Sequence, residues 1–133
     1  MGEDGHTCSL FPNHALLSEE KLLIASISDS PKPPPQRVTF TYPLVNNARS
    51  VVFVAAGAGK RVILPQVLSV NSTLPSGRVK ATKVVWMVDS AAAADVASEQ
   101  NVNILSFSFS LSLGLSLSVS YLLYLYIYIG WGC

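Results

Sequence analysis

The chain has 133 residues, enough for one domain with a real core. Its charges nearly cancel at a formal +1, and no basic run occurs, which excludes nucleic acid as a partner. Every charged residue lies at or before Glu99, so the segment Gln100 to Cys133 carries none. No apolar h-region opens the chain, so no secretory signal is read. Two cysteines, Cys8 and Cys133, make no disulfide framework and fit a reducing compartment.

The first stretch, Gly2 to His14, packs Asp4-Gly5-His6, Cys8, Phe11-Pro12 and a second histidine into one polar run. Such density belongs on a loop held by a scaffold. His6 titrates near neutrality and can take up and return a proton. Asp4, two residues away, can orient its imidazole, and Gly5 lets the backbone bend between them. Cys8 reads as a small buried thiol and His14 as a capping or surface histidine. Ser9 lacks the small-residue elbow of a serine nucleophile.

Further along, residues 14–21 allow a short helical turn and Leu22 to Ala25 reads as a strand. Ser28 to Gln36 holds four prolines and must be a loop. Arg37 to Tyr42 alternates with the period of a strand. Arg37 could face a ligand, although a solvated or structural arginine is the plainer reading. Val51 to Ala56 is a continuous apolar run, as in a parallel strand buried on both faces. Gly57-Ala58-Gly59-Lys60 follows at the carboxyl edge, where free N–H groups and a lysine can receive an anion. Val62 to Leu68 could be helical despite Pro65. Val84 to Val88 is a second buried-type strand with Trp86 in the core. Asp89-Ser90 then caps a helix over Ala91 to Ala97. Strand, helix, strand, helix is an α/β rhythm.

From Ser106 the sequence alternates Ser with Phe or Leu, and from Tyr121 it alternates Tyr with Leu or Ile. A transmembrane segment across 104–129 is one reading, the sole membrane candidate, though serine at every second place suits a span poorly. Strict alternation is a strand period. Because CT and TA dinucleotide repeats translate as Leu-Ser and Tyr-Ile, a translated repeat is the favoured reading. Two regions are expected: 1–97 as a portion of an α/β domain and 98–133 as a low-complexity tail, uncharged from Gln100 onward.

Gly2 to His14 closely resembles the G-x-D-G-H-T-A/C-S-L-F-P-x-H signature of the 6-phosphogluconolactonases, within the glucosamine/galactosamine-6-phosphate isomerase superfamily. Asp29 to Thr39, Asn47 to Arg49, Val52 to Val54, Gly57 to Lys60, Leu74-Pro75 and Val84 to Ala93 follow in that family's order. The resemblance implies an incomplete Rossmann-like α/β parallel-sheet sandwich, followed by a disordered or non-native C-terminal tail. It implies hydrolysis of 6-phospho-D-glucono-1,5-lactone in the oxidative pentose phosphate pathway, with no cofactor and no metal. His6 would be the acid/base, Asp4 its orienting partner, Lys60 a phosphate contact and Arg37 a further substrate contact. The sugar-phosphate lactone is the one partner expected. The compartment would be the cytoplasm, or a plastid were a transit peptide to precede the chain. Oligomeric state is left open. Sister deaminases carry a glutamate where Phe11 stands, which argues against deamination or isomerisation. Family members also have strands and a Gly-rich loop ahead of D-G-H, so the chain resembles a C-terminal portion, expected to fold poorly and to be weakly active or inactive. A non-catalytic product binding a partner or membrane through its tail is the competing expectation.

Overall fold

The computed structural model describes residues 1–96 and, as backbone, residues 104–107. The rest of the uncharged segment, on which the repeat and membrane readings fall, lies outside the described residues. No helix among the described residues is long and apolar enough to cross a membrane.

The strand-like runs form two small sheets. Strand β1 (Ile24–Ile27) pairs antiparallel with β2 (Arg37–Phe40), the proline loop joining them. Strands β3 (Val51–Ala55), β4 (Val84–Asp89) and β5 (Ile104–Phe107) form a parallel sheet in that order, with Phe53 opposite Trp86 and Val88 opposite Ser106. The α/β class read from the sequence holds, with an antiparallel ribbon added to the parallel sheet.

Its core is built where the apolar runs pack. Phe53 and Trp86 stack with ring centroids 4.1 Å apart and planes 11° off parallel, and Val51, Ala55, Leu64, Val67 and Val88 close around them. Aromatic pairs add about 1 kcal/mol beyond the area they bury. Trp86 is a core residue, as expected. One reading is corrected: β3 is not buried on both faces, because Val54 is 37 % exposed.

Helices are shorter than the sequence pattern promised. Helix α1 (Tyr42–Asn46) begins where a strand was expected to run on, because Pro43 in its first turn has no N–H to lose there. Helix α2 (Ile63–Leu68) keeps Pro65 within its first turn, so the proline does not break it. Alanines 91–94 form turns, not the expected helix. Asp89 does cap them, its Oδ1 accepting from the Ala92 N–H at 2.8 Å.

Candidate active site

The Gly2–His14 loop is a series of tight turns fixed at both ends. The Gly2 N–H donates to the His6 carbonyl at 2.9 Å, and the Gly5 N–H to the Gly2 carbonyl at 3.1 Å. Gly5 has φ +78°, a left-handed conformation that suits glycine, so the bend expected between Asp4 and His6 is present. Gly2 has a different reason: a Cβ there would overlap the His6 ring. From 71 residues further along the chain, the buried Ser76 hydroxyl donates to the Gly5 carbonyl at 2.8 Å and reaches the His6 carbonyl at 3.2 Å. The Ser9 N–H donates to Thr39 Oγ1 at 2.9 Å, tying the loop to β2.

These turns bring His6 Nδ1 to 2.6 Å from Asp4 Oδ1. His6 lines a cleft of about 410 Å³ together with Gly2, Glu3, Cys8, Lys32 and Lys60, with Asp4 behind the imidazole. Burial lowers the His6 pKa below the ordinary 6.5, against the pull of Asp4, and Lys32 lowers it further. Burial alone would raise Asp4, but hydrogen bonds from His6 and Lys32 outweigh it and hold the carboxyl at about 2. At neutral pH the pair is therefore a neutral imidazole donating Nδ1–H to a carboxylate, not an ion pair. That tautomer leaves Nε2 with its lone pair, and among the described residues no hydrogen bond occupies it. A base of this kind, oriented by a carboxylate, can accept a proton from water.

Both depressed values have the same sign for stability. Each group contributes stability above its ordinary value, 6.5 for His6 and 3.8 for Asp4, that is lost as pH falls through its lowered value. The denaturant midpoint of the chain is expected to drop on acidification below pH 6.5, and His6→Gln to flatten the first part of that drop. Identical pH dependence in the two proteins would contradict the protonation state just described.

Lys60 ends the short 3-10 turn Ala58–Lys60 after β3. It is 7 % exposed, and among the described residues no carboxylate pairs with it. Burying an ammonium without a counter-ion is unfavourable, so the arrangement invites an anion. The free N–H groups expected beside it are partly used already. The Gly57 N–H is shared between the two Asp89 carboxylate oxygens at 3.0 and 3.1 Å.

The other residues singled out by sequence sort as follows. His14 is a cap, its Nδ1 accepting from the Leu16 N–H at 3.2 Å, with Nε2 3.2 Å from Asp29. Cys8 is only partly buried, at φ +52°, and burial raises its thiol pKa. Phe11 is 1 % exposed and packs on the His6 ring at 4.7 Å between centroids. Arg37 does not line the cleft. Its guanidinium sits 5.4 Å from the Phe11 ring centre and donates to the carbonyls of Lys32, Pro33 and Pro34 at 2.9–3.0 Å. Sequence reasoning missed Lys32, whose Nζ lies 3.2 Å from Asp4 Oδ1. It also missed Ser76. Neither carries a local signal, since both meet the loop across long stretches of chain. A larger cleft of about 860 Å³ is lined by Glu19, Tyr42, Arg78 and Lys80 among others, but it holds no histidine or thiol.

A family model described as glucosamine-6-phosphate isomerases/6-phosphogluconolactonase matches residues 1–86. The chain belongs to this family. It is 54 % identical over 97 residues to a 6-phosphogluconolactonase of Bos taurus, covering 70 % of this chain and 38 % of that protein. It is 53 % identical over 97 residues to the 6-phosphogluconolactonase of Homo sapiens, with the same coverage. The crystal structure of 6-phosphogluconolactonase from Leishmania guyanensis superposes with a TM-score of 0.59 at 30 % identity, covering 73 % of this chain and 39 % of that one. This chain thus spans about two-fifths of the length of the curated relatives it matches. Membership gives the α/β fold its type, that of the sugar-phosphate isomerases and lactonases.

Proposed function

We propose that the cleft is the proton-transfer and phosphate-holding part of a 6-phosphogluconolactonase site, with 6-phospho-D-glucono-1,5-lactone as substrate. One observation carries the reading: a carboxylate-oriented imidazole, His6 on Asp4 at 2.6 Å, shares a cleft with Lys60, buried and without a carboxylate partner among the described residues. The two halves match the two ends of the substrate, a carbonyl to be attacked and a phosphate to be held.

His6 Nε2 takes a proton from water as the water oxygen bonds to the lactone carbonyl carbon. The bond from that carbon to the ring oxygen then breaks, and the imidazolium returns the proton to the ring oxygen, which leaves as a hydroxyl. The product is a carboxylic acid that ionises in solution. Asp4 offsets the charge on the imidazolium while it lasts. Lys60 holds the phosphate as a point charge. No step calls for a metal or cofactor, and the cytoplasm is the compartment proposed. Deamination or isomerisation is disfavoured, because buried Phe11, at the position of the deaminases' glutamate, offers no acid or base.

The 133-residue chain is expected to hydrolyse the lactone slowly but above the spontaneous rate, and His6→Ala to remove the excess. Equal rates with the two proteins, both shown to be folded, would overturn the reading.

A further inference from the structure

The proline loop enters the site by a route the lactonase reading does not use. Arg37 donates to three successive loop carbonyls, those of Lys32, Pro33 and Pro34. Its guanidinium also lies over Phe11, which in turn packs on His6. The Ser30 hydroxyl, donating to the Lys32 carbonyl at 2.8 Å, fixes the same turn. The clamped loop delivers Lys32 Nζ to Asp4 Oδ1, the oxygen that also receives the His6 Nδ1 hydrogen and the His6 backbone N–H. Contacts therefore close a ring: Arg37 to Lys32, Lys32 to Asp4, Asp4 to His6, His6 to Phe11 and Phe11 back to Arg37.

We propose that Lys32 is a positioning residue, held over the cleft by the Arg37-clamped loop, which fixes the Asp4 carboxylate toward His6 and by its charge keeps the imidazole free to accept a proton. Two physical reasons support this. A cation on Asp4 Oδ1 restrains the carboxylate that sets the His6 tautomer. The same cation also repels a second positive charge on the imidazole, and its effect on His6 has that sign. The other charged or titratable groups facing His6 are Glu3, Cys8, Lys60 and the Met1 amino group in the cleft, and Arg37 beyond Phe11. Among the described residues, none of these cations sits on the carboxylate as Lys32 does. Lys32 is 43 % exposed on its side chain, so solvent screens the pair and its effect is modest.

The role assigned to Lys32 rests on the lactonase reading for what His6 does, but the contact can be tested without turnover. In the full chain, the His6 Cε1–H resonance is titrated by NMR, assigned against His6→Gln. Lys32→Ala is expected to move the His6 midpoint upward, Lys32→Arg to leave it near the wild-type value, and Arg37→Ala to reproduce the Lys32→Ala shift. The double variant should shift no further than either single one, because both changes remove one contact. In the hydrolysis assay at pH 6, Lys32→Ala should lower kcat about two- to fivefold with KM unchanged, the range for a half-exposed ion pair. A His6 midpoint that does not move in Lys32→Ala overturns the proposal. So does a raised KM at unchanged kcat, which would make Lys32 a substrate contact. If Arg37→Ala fails to fold, the two Lys32 variants still decide. Absence of turnover in every protein, wild type included, counts against the lactonase reading, and the NMR titration still judges Lys32.

Discussion

Lys60→Met is expected to stabilise the chain and to abolish its hold on the phosphate end of the substrate. The two effects have one cause. Lys60 is 7 % exposed as a residue and has no paired carboxylate among the described residues. Replacing a buried, unpaired ammonium with an apolar chain of similar length removes a desolvation cost, for a gain of about 1–2 kcal/mol in unfolding free energy. The same replacement deletes the charge that faces the anion. Loss of one partner from a desolvated charged contact weakens binding by on the order of a hundredfold or more. Denaturant midpoints and calorimetric titration with 6-phosphogluconate would measure the two effects. A destabilised Lys60→Met protein would mean that the ammonium is satisfied by groups of the chain itself, and the anion argument would fail with it.

The second large effect comes from one of the smallest residues. Gly2→Ala adds a single methyl group at a point where the His6 ring already lies, close also to Asp4 Oδ1. The methyl cannot be accommodated without moving the imidazole, and the 2.6 Å contact with Asp4 is the contact that moves. Displacement of a reacting group by about 1 Å costs roughly a hundredfold in rate. Turnover should fall by that order while the denaturant midpoint changes little, since Gly2 is a partly exposed loop residue with no core contact to lose. His6 should in turn titrate closer to the ordinary histidine value. Unchanged kcat in Gly2→Ala would show that the pair tolerates misplacement, and the assignment of His6 as the proton acceptor would need revising.

What could be read from the sequence follows from how local each feature is. Asp4, Gly5 and His6 are consecutive, so their chemistry and the bend between them are visible in a string of letters. Val51 to Ala55 and Val84 to Val88 are legible as strands because continuous apolar β-branched runs have few other homes. His14 was legible as a cap because it stands just before the residues it caps. Lys32 was not legible, since a lysine among prolines looks like a solvated loop until Arg37 folds that loop back. Arg37 reads most plainly as a structural arginine, and three carbonyls of the preceding loop do claim its donors, whereas the substrate contact came from the family resemblance alone. The alanines after Asp89 were misread because helix propensity is a weak prior. With Asp89 accepting from both Gly57 and Ala92, its carboxylate ties the turn to the end of β3.

The reach of Ser76 bears on when the site can exist at all. Its hydroxyl closes the Asp4–Gly5–His6 turn across a separation of 71 residues. During synthesis Asp4, Gly5 and His6 emerge 71 residues ahead of the serine that braces them. Contacts of such long sequence separation are formed late and slowly. The geometry of the candidate site is therefore a product of completed tertiary structure, although Asp4, Gly5 and His6 stand side by side in the sequence.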